Sequence, residues 1–241
     1  MAVYACSDLH GYLDLYKQIK NFLRPEDTVF FLGDAGDRGP QPWETIKAIC
    51  KDSQFVYLKG NHEDMLVEAA EEFLEYNCLS FNHALLTQNG GCETFNQWQM
   101  EDFKNEWIIS LKNLPLRAEY TNKDGVHYIM THAGFTPHKR ETPTPEDLLW
   151  DRDHIYDRWI DCPERTVILH GHTPITSLYK RLNYVYKLKN NTEEDMPFEE
   201  GSVYVYCGGY KICIDNGVYR TGKTVLFNLD TYEAITFKTG E

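Results

Sequence analysis

Five short segments concentrate side chains that hold metals and move protons: SDLHG (7–11), GDAGDRG (33–39), KGNHED (59–64), MTHAG (130–134) and LHGHTP (169–174). Each follows an apolar, β-prone run. Aspartate, histidine and asparagine placed repeatedly at strand ends converge on one rim of a sheet, and carboxylate, imidazole and amide oxygen together suit manganese, iron or zinc. Singly, Asp8 or Asp34 serves as well in a turn or helix cap. Recurrence of the pattern favours ligation.

The elements that must position these residues are visible as periodicity. AVYACS (2–7), TVFFL (28–32) and QFVYL (54–58) read as strands. Between them lie two helices: Tyr12 to Phe22, with Leu15, Ile19 and Phe22 on one face, and Pro42 to Cys50, which opens on a proline suited to a first turn. The first sixty residues therefore form βαβαβ, a parallel sheet with its binding positions just past the strands' carboxyl ends. After Asn61 a longer helix buries a stripe of Leu66, Ala69, Ala70, Phe73 and Leu74, and residues 80–113 continue as irregular helix; together about 63–113 make a helical cap.

Thereafter the chain turns β-rich, with strands at 116–121, 126–131, 166–170, 202–207, 211–215, 224–229 and 232–238. One helical interruption near 145–160 contains Trp150 and Trp159, and residues 187–201 read as an acidic, aperiodic loop. The shift from βα units to consecutive strands predicts an α/β fold: two packed mixed β-sheets flanked by helices, forming a single domain over 1–241.

The chain of 241 residues carries 42% hydrophobic residues, and no run approaches the roughly 18 apolar residues of a membrane span. Seven cysteines without a CxxC pair and an N-terminus without a signal pattern predict a cytoplasmic protein. A formal charge of −13 argues against a general affinity for nucleic acid or anionic membrane.

Taken in order, SDLHG, GDAGDRG, GNHE, HAG and HGHT resemble the signature of calcineurin-like metallophosphoesterases of the bacterial phosphoprotein phosphatase type: GDxHG, GDxxDRG, GNHE, a His-Gly pair and GHT. The likeness runs from residue 7 to about 174, with a weaker echo in ICIDNG. The resemblance implies an αββα sandwich holding two divalent ions, manganese favoured and iron or zinc as alternatives. Asp8 and His10 would hold one ion, Asn61, His132 and His172 the other, and Asp34 would bridge them. His62 would protonate the leaving oxygen, Asp37 would orient it, and Arg38 and Arg152 would bind the phosphate.

The physical logic is consistent with that assignment. Two adjacent dications lower the pKa of a shared water, so that hydroxide is available to attack phosphorus. An alkoxide leaves poorly, so the opposite face needs an acid such as a histidine kept protonated by a carboxylate. The planar fork of Arg38 matches two phosphoryl oxygens. The leading expectation is a serine/threonine protein phosphatase acting on phosphoproteins or phosphopeptides. A symmetrical diadenosine tetraphosphate hydrolase, with a dinucleoside polyphosphate as substrate, and a non-catalytic interaction module of the same fold are the alternatives.

His170 is expected to support or pack rather than ligate, and His83, His127, His138 and His154 match no motif. Gly36, where a bulkier residue is common, predicts a looser loop around Asp37.

Overall fold

The computed structural model describes residues 1–136, 142–157, 163–190 and 203–240. The first sheet has the order β10-β9-β1-β2-β3, built from β1 (Val3–Cys6), β2 (Thr28–Phe31), β3 (Phe55–Tyr57), β9 (Lys223–Asn228) and β10 (Ala234–Lys238). The second has the order β4-β5-β6-β8-β7, from β4 (Arg117–Thr121), β5 (His127–Thr131), β6 (Thr166–His170), β7 (Tyr204–Tyr206) and β8 (Lys211–Cys213). Both sheets are mixed. β1 pairs in parallel with β2, and β2 with β3, as the βαβαβ reading required.

Between the sheets lies one apolar layer, to which Val3, Ala5, Val225 and Phe227 come from the first sheet and Tyr128, Met130, Leu169 and Ile212 from the second. The outer face of the first sheet packs under α1 (Leu13–Phe22), α2 (Pro42–Lys51) and α3 (Asn61–Tyr76), joined by α5 (Cys92–Gln99) and α6 (Lys104–Lys112). Between α3 and α5 runs α4 (Phe81–Gln88), whose N-cap Ser80 accepts from the His83 N–H. On the other side, α7 (Pro145–Trp150) and α8 (Ile175–Asn190) cover the second sheet, and α9 (Val218–Thr221) is a single turn before β9. Helix, sheet, sheet and helix thus form four layers. No helix among the described residues is long and apolar enough to cross a membrane.

Two expectations change. Leu74 does not join the buried stripe of α3: Phe73 packs edge-on against Phe95, and Leu74, a step further round the helix, is 39% exposed. Met65 takes a buried place instead. Residues 187–190 are not loop but the last turn of α8, a helix absent from the sequence reading; the remainder of that acidic stretch, 191–201, lies outside the described residues, as do His138 and Trp159. Tyrosines and a valine dilute the helical signal of α8, yet Ile175, Leu178 and Leu182 at helical spacing pack with Ile155 and Tyr206.

Leu169 is fully buried in the layer between the sheets. Leu169→Ala is expected to cost about 2–5 kcal/mol, the range for a truncated core leucine. Urea unfolding followed by fluorescence measures it.

Candidate active site

The predicted residues arrive at one rim from both sheets. Asp8 and His10 follow β1, Asp34, Asp37 and Arg38 follow β2, and Asn61 and His62 open α3 after β3. From the second sheet, His132 follows β5 and His172 follows β6. The backbone there is unusual: Asp8, His10, Asp34, Asp37, Arg38 and His172 all have φ between 41° and 66°, a left-handed region that costs a non-glycine residue about 1 kcal/mol or more. Such strain persists only where the surroundings enforce it, and here it coincides with the chemistry.

Two clusters of ligand atoms share Asp34. His10, Asp34 and His62 form one, and Asp34, His132 and His172 the other, with the atoms of each within 4.8 Å of one another. Asn61 Oδ1 lies 2.9 Å from His132 Nε2 and 3.0 Å from His172 Nδ1, and those two nitrogens are 3.1 Å apart. Asp8 Oδ1 stands 3.9 Å from His10 Nε2, while its other oxygen accepts from Ser7 Oγ and from the His172 N–H.

The far nitrogens of two of the rings are already used, whereas His172 Nε2 is buried without a hydrogen-bond partner among the described residues. His132 Nδ1 is 2.8 Å from the Leu32 carbonyl and His10 Nδ1 is 3.1 Å from that of Gly36, so each donates there and turns its Nε2 toward the centre. Three buried carboxylates stand close together at this rim. Burial, with Asp215 beside it, lifts Asp8 well above the usual carboxylate range. Burial acts on Asp34 in the same sense, but the charges of His132, His62 and His10 hold it well below. Asp215 itself is raised to about 6, mainly by burial. Lone pairs and carboxylates converging in a dry pocket fit divalent cations, which would relieve the repulsion among these acids.

His62 sits 2.5 Å through Nδ1 from Asp37 Oδ2, and its Nε2 is 3.8 Å from Asp34 Oδ2. Burial opposes a charge on His62, yet Asp34 and the Asp37 hydrogen bond raise its pKa above the ordinary value. Asp37 is fixed in turn by Thr94 on α5, whose hydroxyl donates to Asp37 Oδ1 and accepts from the Asp37 N–H at 3.1 Å. At Gly36 a Cβ would stand 2.7 Å from Ile46 Cδ1, so α2 packs close against this loop.

Arg38 points its fork at the centre, with Nη1 2.7 Å from His10 Nε2 and Nη2 2.7 Å from His62 Nε2. Arg152 follows α7 and is half-buried, and no hydrogen bond or ion pair holds its guanidinium among the described residues. Burial, with Arg181 nearby, lowers its pKa. Trp150 packs its ring 6.2 Å from that of His172. His170 faces away, its Nε2 2.7 Å from the Tyr206 hydroxyl, and His154 is fully buried at 5.0 Å from the His170 ring.

Besides Thr94, three residues here lie outside what the sequence reading assigned. Glu63 is buried and accepts from the N–H groups of Asp34, Ala35 and Gly60, each at 2.8 Å, and from the Tyr57 hydroxyl at 2.8 Å. Its signal was present as the last letter of GNHE, three residues past the helix N-cap, where a glutamate reaches back to the N-cap N–H. Asp215 lies in ICIDNG and accepts from the Gly217 N–H. Tyr219, on α9, covers Arg38 at 4.7 Å from ring centroid to Cζ and meets the His10 ring at 5.8 Å; no short motif announces it.

The profile of the calcineurin-like phosphoesterase family matches residues 1–217. The chain belongs to that family. Calcineurin-like phosphoesterases are hydrolases that depend on a dinuclear metal centre, and the two clusters sharing Asp34 provide groups able to hold one. The chain is 25% identical over 210 residues to bis(5'-nucleosyl)-tetraphosphatase (asymmetrical) of Oceanobacillus iheyensis, covering 73% of this chain and 78% of that protein. It is 25% identical over 181 residues to serine/threonine-protein phosphatase 1 of Salmonella typhimurium, covering 72% and 79%. A metallophosphoesterase from Sphaerobacter thermophilus shares the fold, with a TM-score of 0.55 at 17% identity over 99% of this chain and 87% of that one.

Asp34→Asn is expected to weaken Mn²⁺ binding by more than the roughly 10- to 100-fold typical of a lost outer hydrogen-bond partner. Titration calorimetry reads this without an activity assay, and wild-type affinity would remove Asp34 from the centre. Glu63→Gln places a donor against backbone N–H groups and is expected to cost about 1–3 kcal/mol, measured by thermal unfolding.

Proposed function

We propose that this calcineurin-like phosphoesterase is a phosphatase whose first substrate class is phosphoserine and phosphothreonine in proteins. Asp8, His10, Asp34, Asn61, His132 and His172 would hold two divalent cations, with manganese favoured. When bound, such ions supply positive charge for the phosphate and make water a nucleophile at neutral pH. Arg38 and Arg152 bind and orient the phosphoryl oxygens, and the Tyr219 ring keeps the Arg38 guanidinium in one plane. His62 gives a proton from Nε2 to the leaving oxygen while Nδ1 stays on Asp37.

The contact between His62 and Asp37 carries this reading. A buried imidazole held toward its protonated form is needed when the leaving group is an alkoxide, as from serine or threonine. A phosphoanhydride parts with a stable phosphate and gains little from such an acid.

A second reading, hydrolysis of dinucleoside polyphosphates, has its own support in the tetraphosphatase from Oceanobacillus iheyensis. The sequence of α8 adds to it, with Lys180, Arg181, Lys187 and Lys189 and no acidic residue. The segment 187–201, acidic as a whole, thus begins with a basic helical turn.

His62→Ala is expected to slow turnover of a phosphoserine peptide about 10²- to 10⁴-fold with Mn²⁺ retained. The loss on p-nitrophenyl phosphate, which has a better leaving group, is expected to be smaller; equal rates for wild type and variant on the peptide would remove His62 as the acid. Wild-type turnover of the phosphoserine peptide is also expected to exceed that of diadenosine tetraphosphate, compared side by side with Mn²⁺. The reverse order assigns the second substrate class.

A further inference from the structure

Lys211 lies in β8, in register with Ile168 on one side and Tyr206 on the other, and it is fully buried. Its neighbour Ile212 points into the layer between the sheets, so Lys211 projects to the opposite face, beneath the segments that follow β5 and α7. Its ammonium donates to the His154 carbonyl at 2.6 Å and to Thr136 Oγ1 at 2.9 Å, and lies 3.4 Å from His154 Nδ1. Thr136 is four residues past His132. His154 sits in the 3-10 turn Asp153–Tyr156, for which Arg152 is the N-cap residue.

Taking an ammonium fully out of water costs several kcal/mol, and a buried charge is weak evidence for stability even where its contacts offset that cost. A lysine at this point of a sheet is therefore poorly explained by stability. It is well explained by what its donors hold. Arg152 has no hydrogen bond or ion pair of its own among the described residues, so the direction of its guanidinium depends on the turn beneath it. Asp151 Oδ1 fixes one side of that turn by accepting from the Asp153 N–H at 2.7 Å. The contact from Lys211 to the His154 carbonyl fixes the other side and ties it, through Thr136, to the loop carrying His132.

We propose that Lys211 is a positioning residue for Arg152, clamping the turn that presents this arginine to the loop that presents His132. The proposal rests on the reading of Arg152 as a phosphate-binding group. Lys211 touches neither phosphate nor metal; it acts on substrate affinity through the backbone of residues 152–154.

The test uses the full chain loaded with Mn²⁺ and the variant Lys211→Met, of similar length and without charge. Its melting temperature is expected to fall, because the His154 carbonyl and the Thr136 hydroxyl lose a buried donor, so the kinetics are read well below it. KM for p-nitrophenyl phosphate is expected to rise about tenfold, with kcat and Mn²⁺ affinity within about twofold. The double variant Arg152→Ala/Lys211→Met is expected to bind no more weakly than Arg152→Ala alone, because the clamp has nothing left to hold. Additive losses, a fall in Mn²⁺ affinity matching the rise in KM, or an unchanged KM would overturn the proposal.

Should Lys211→Met not fold, Lys211→Gln, which keeps one donor toward the His154 carbonyl, is expected to give an intermediate KM; wild-type KM in that variant counts against the clamp. Tungstate, a phosphate mimic, binds without turnover. Its calorimetric affinity tests Lys211 even if the wild type hydrolyses none of the substrates above, and that failure would fall on the proposed function alone.

Discussion

The loop after β2 carries Asp34, Asp37 and Arg38 in left-handed backbone conformations that the chain would not adopt unaided, and one buried carboxylate holds its start in place. Glu63 gathers the N–H groups of Asp34 and Ala35 with that of Gly60, at the end of the next loop, so two strand ends are tied through one side chain. Satisfying three backbone donors in a dry interior offsets the desolvation of the carboxylate, and the Tyr57 hydroxyl supplies a fourth partner. The same atoms close the N-terminus of α3 and thereby set where Asn61 and His62 begin. Gly60 is part of this constraint: a Cβ at that position would collide with the Asp34 carboxylate.

With the first sheet's loops fixed, the site still needs the second sheet. His132 and His172 approach Asn61 and Asp34 only because the layer between the sheets brings the carboxyl ends of β1, β2, β5 and β6 to one rim. Contact is close. Gly171 passes so near Ser7 and Asp8 that any side chain there would overlap them, while the His172 N–H reaches across to Asp8. Formation of the site and packing of the sandwich are therefore one event: neither half of the chain assembles both ligand clusters alone.

Much of this was legible in the sequence, for a physical reason. Alternating strands and helices mark the first sheet, and turn residues such as Asp, His and Gly mark where each strand ends, so the ordered motifs point to the rim where Asp8, Asp34, Asn61, His132 and His172 gather. What stayed hidden depends on contacts between segments distant in the chain. Thr94 reaches Asp37 from α5 across 57 positions, and Tyr219 covers Arg38 from the far end of the chain. Tyrosine and valine blur the period of α8, and helical spacing does not say where the layer covering α3 stops, which leaves Leu74 exposed.

The charges of the site run against those of the whole. The chain has a formal charge of −13, yet Arg38, Arg152, Arg181 and Arg220 form no ion pair with a carboxylate among the described residues. Arg38 meets an aromatic face instead, that of Tyr219, and the Cζ of Arg220 is 5.1 Å from the same ring. An aromatic partner orients a guanidinium without neutralising it. The charge therefore stays available to an anion, whereas a salt bridge in the same place would have to be broken for each phosphate that entered. Acidic surroundings then sharpen the contrast, repelling anions from the general surface while the unpaired guanidinium of Arg38 offers positive charge over a short range.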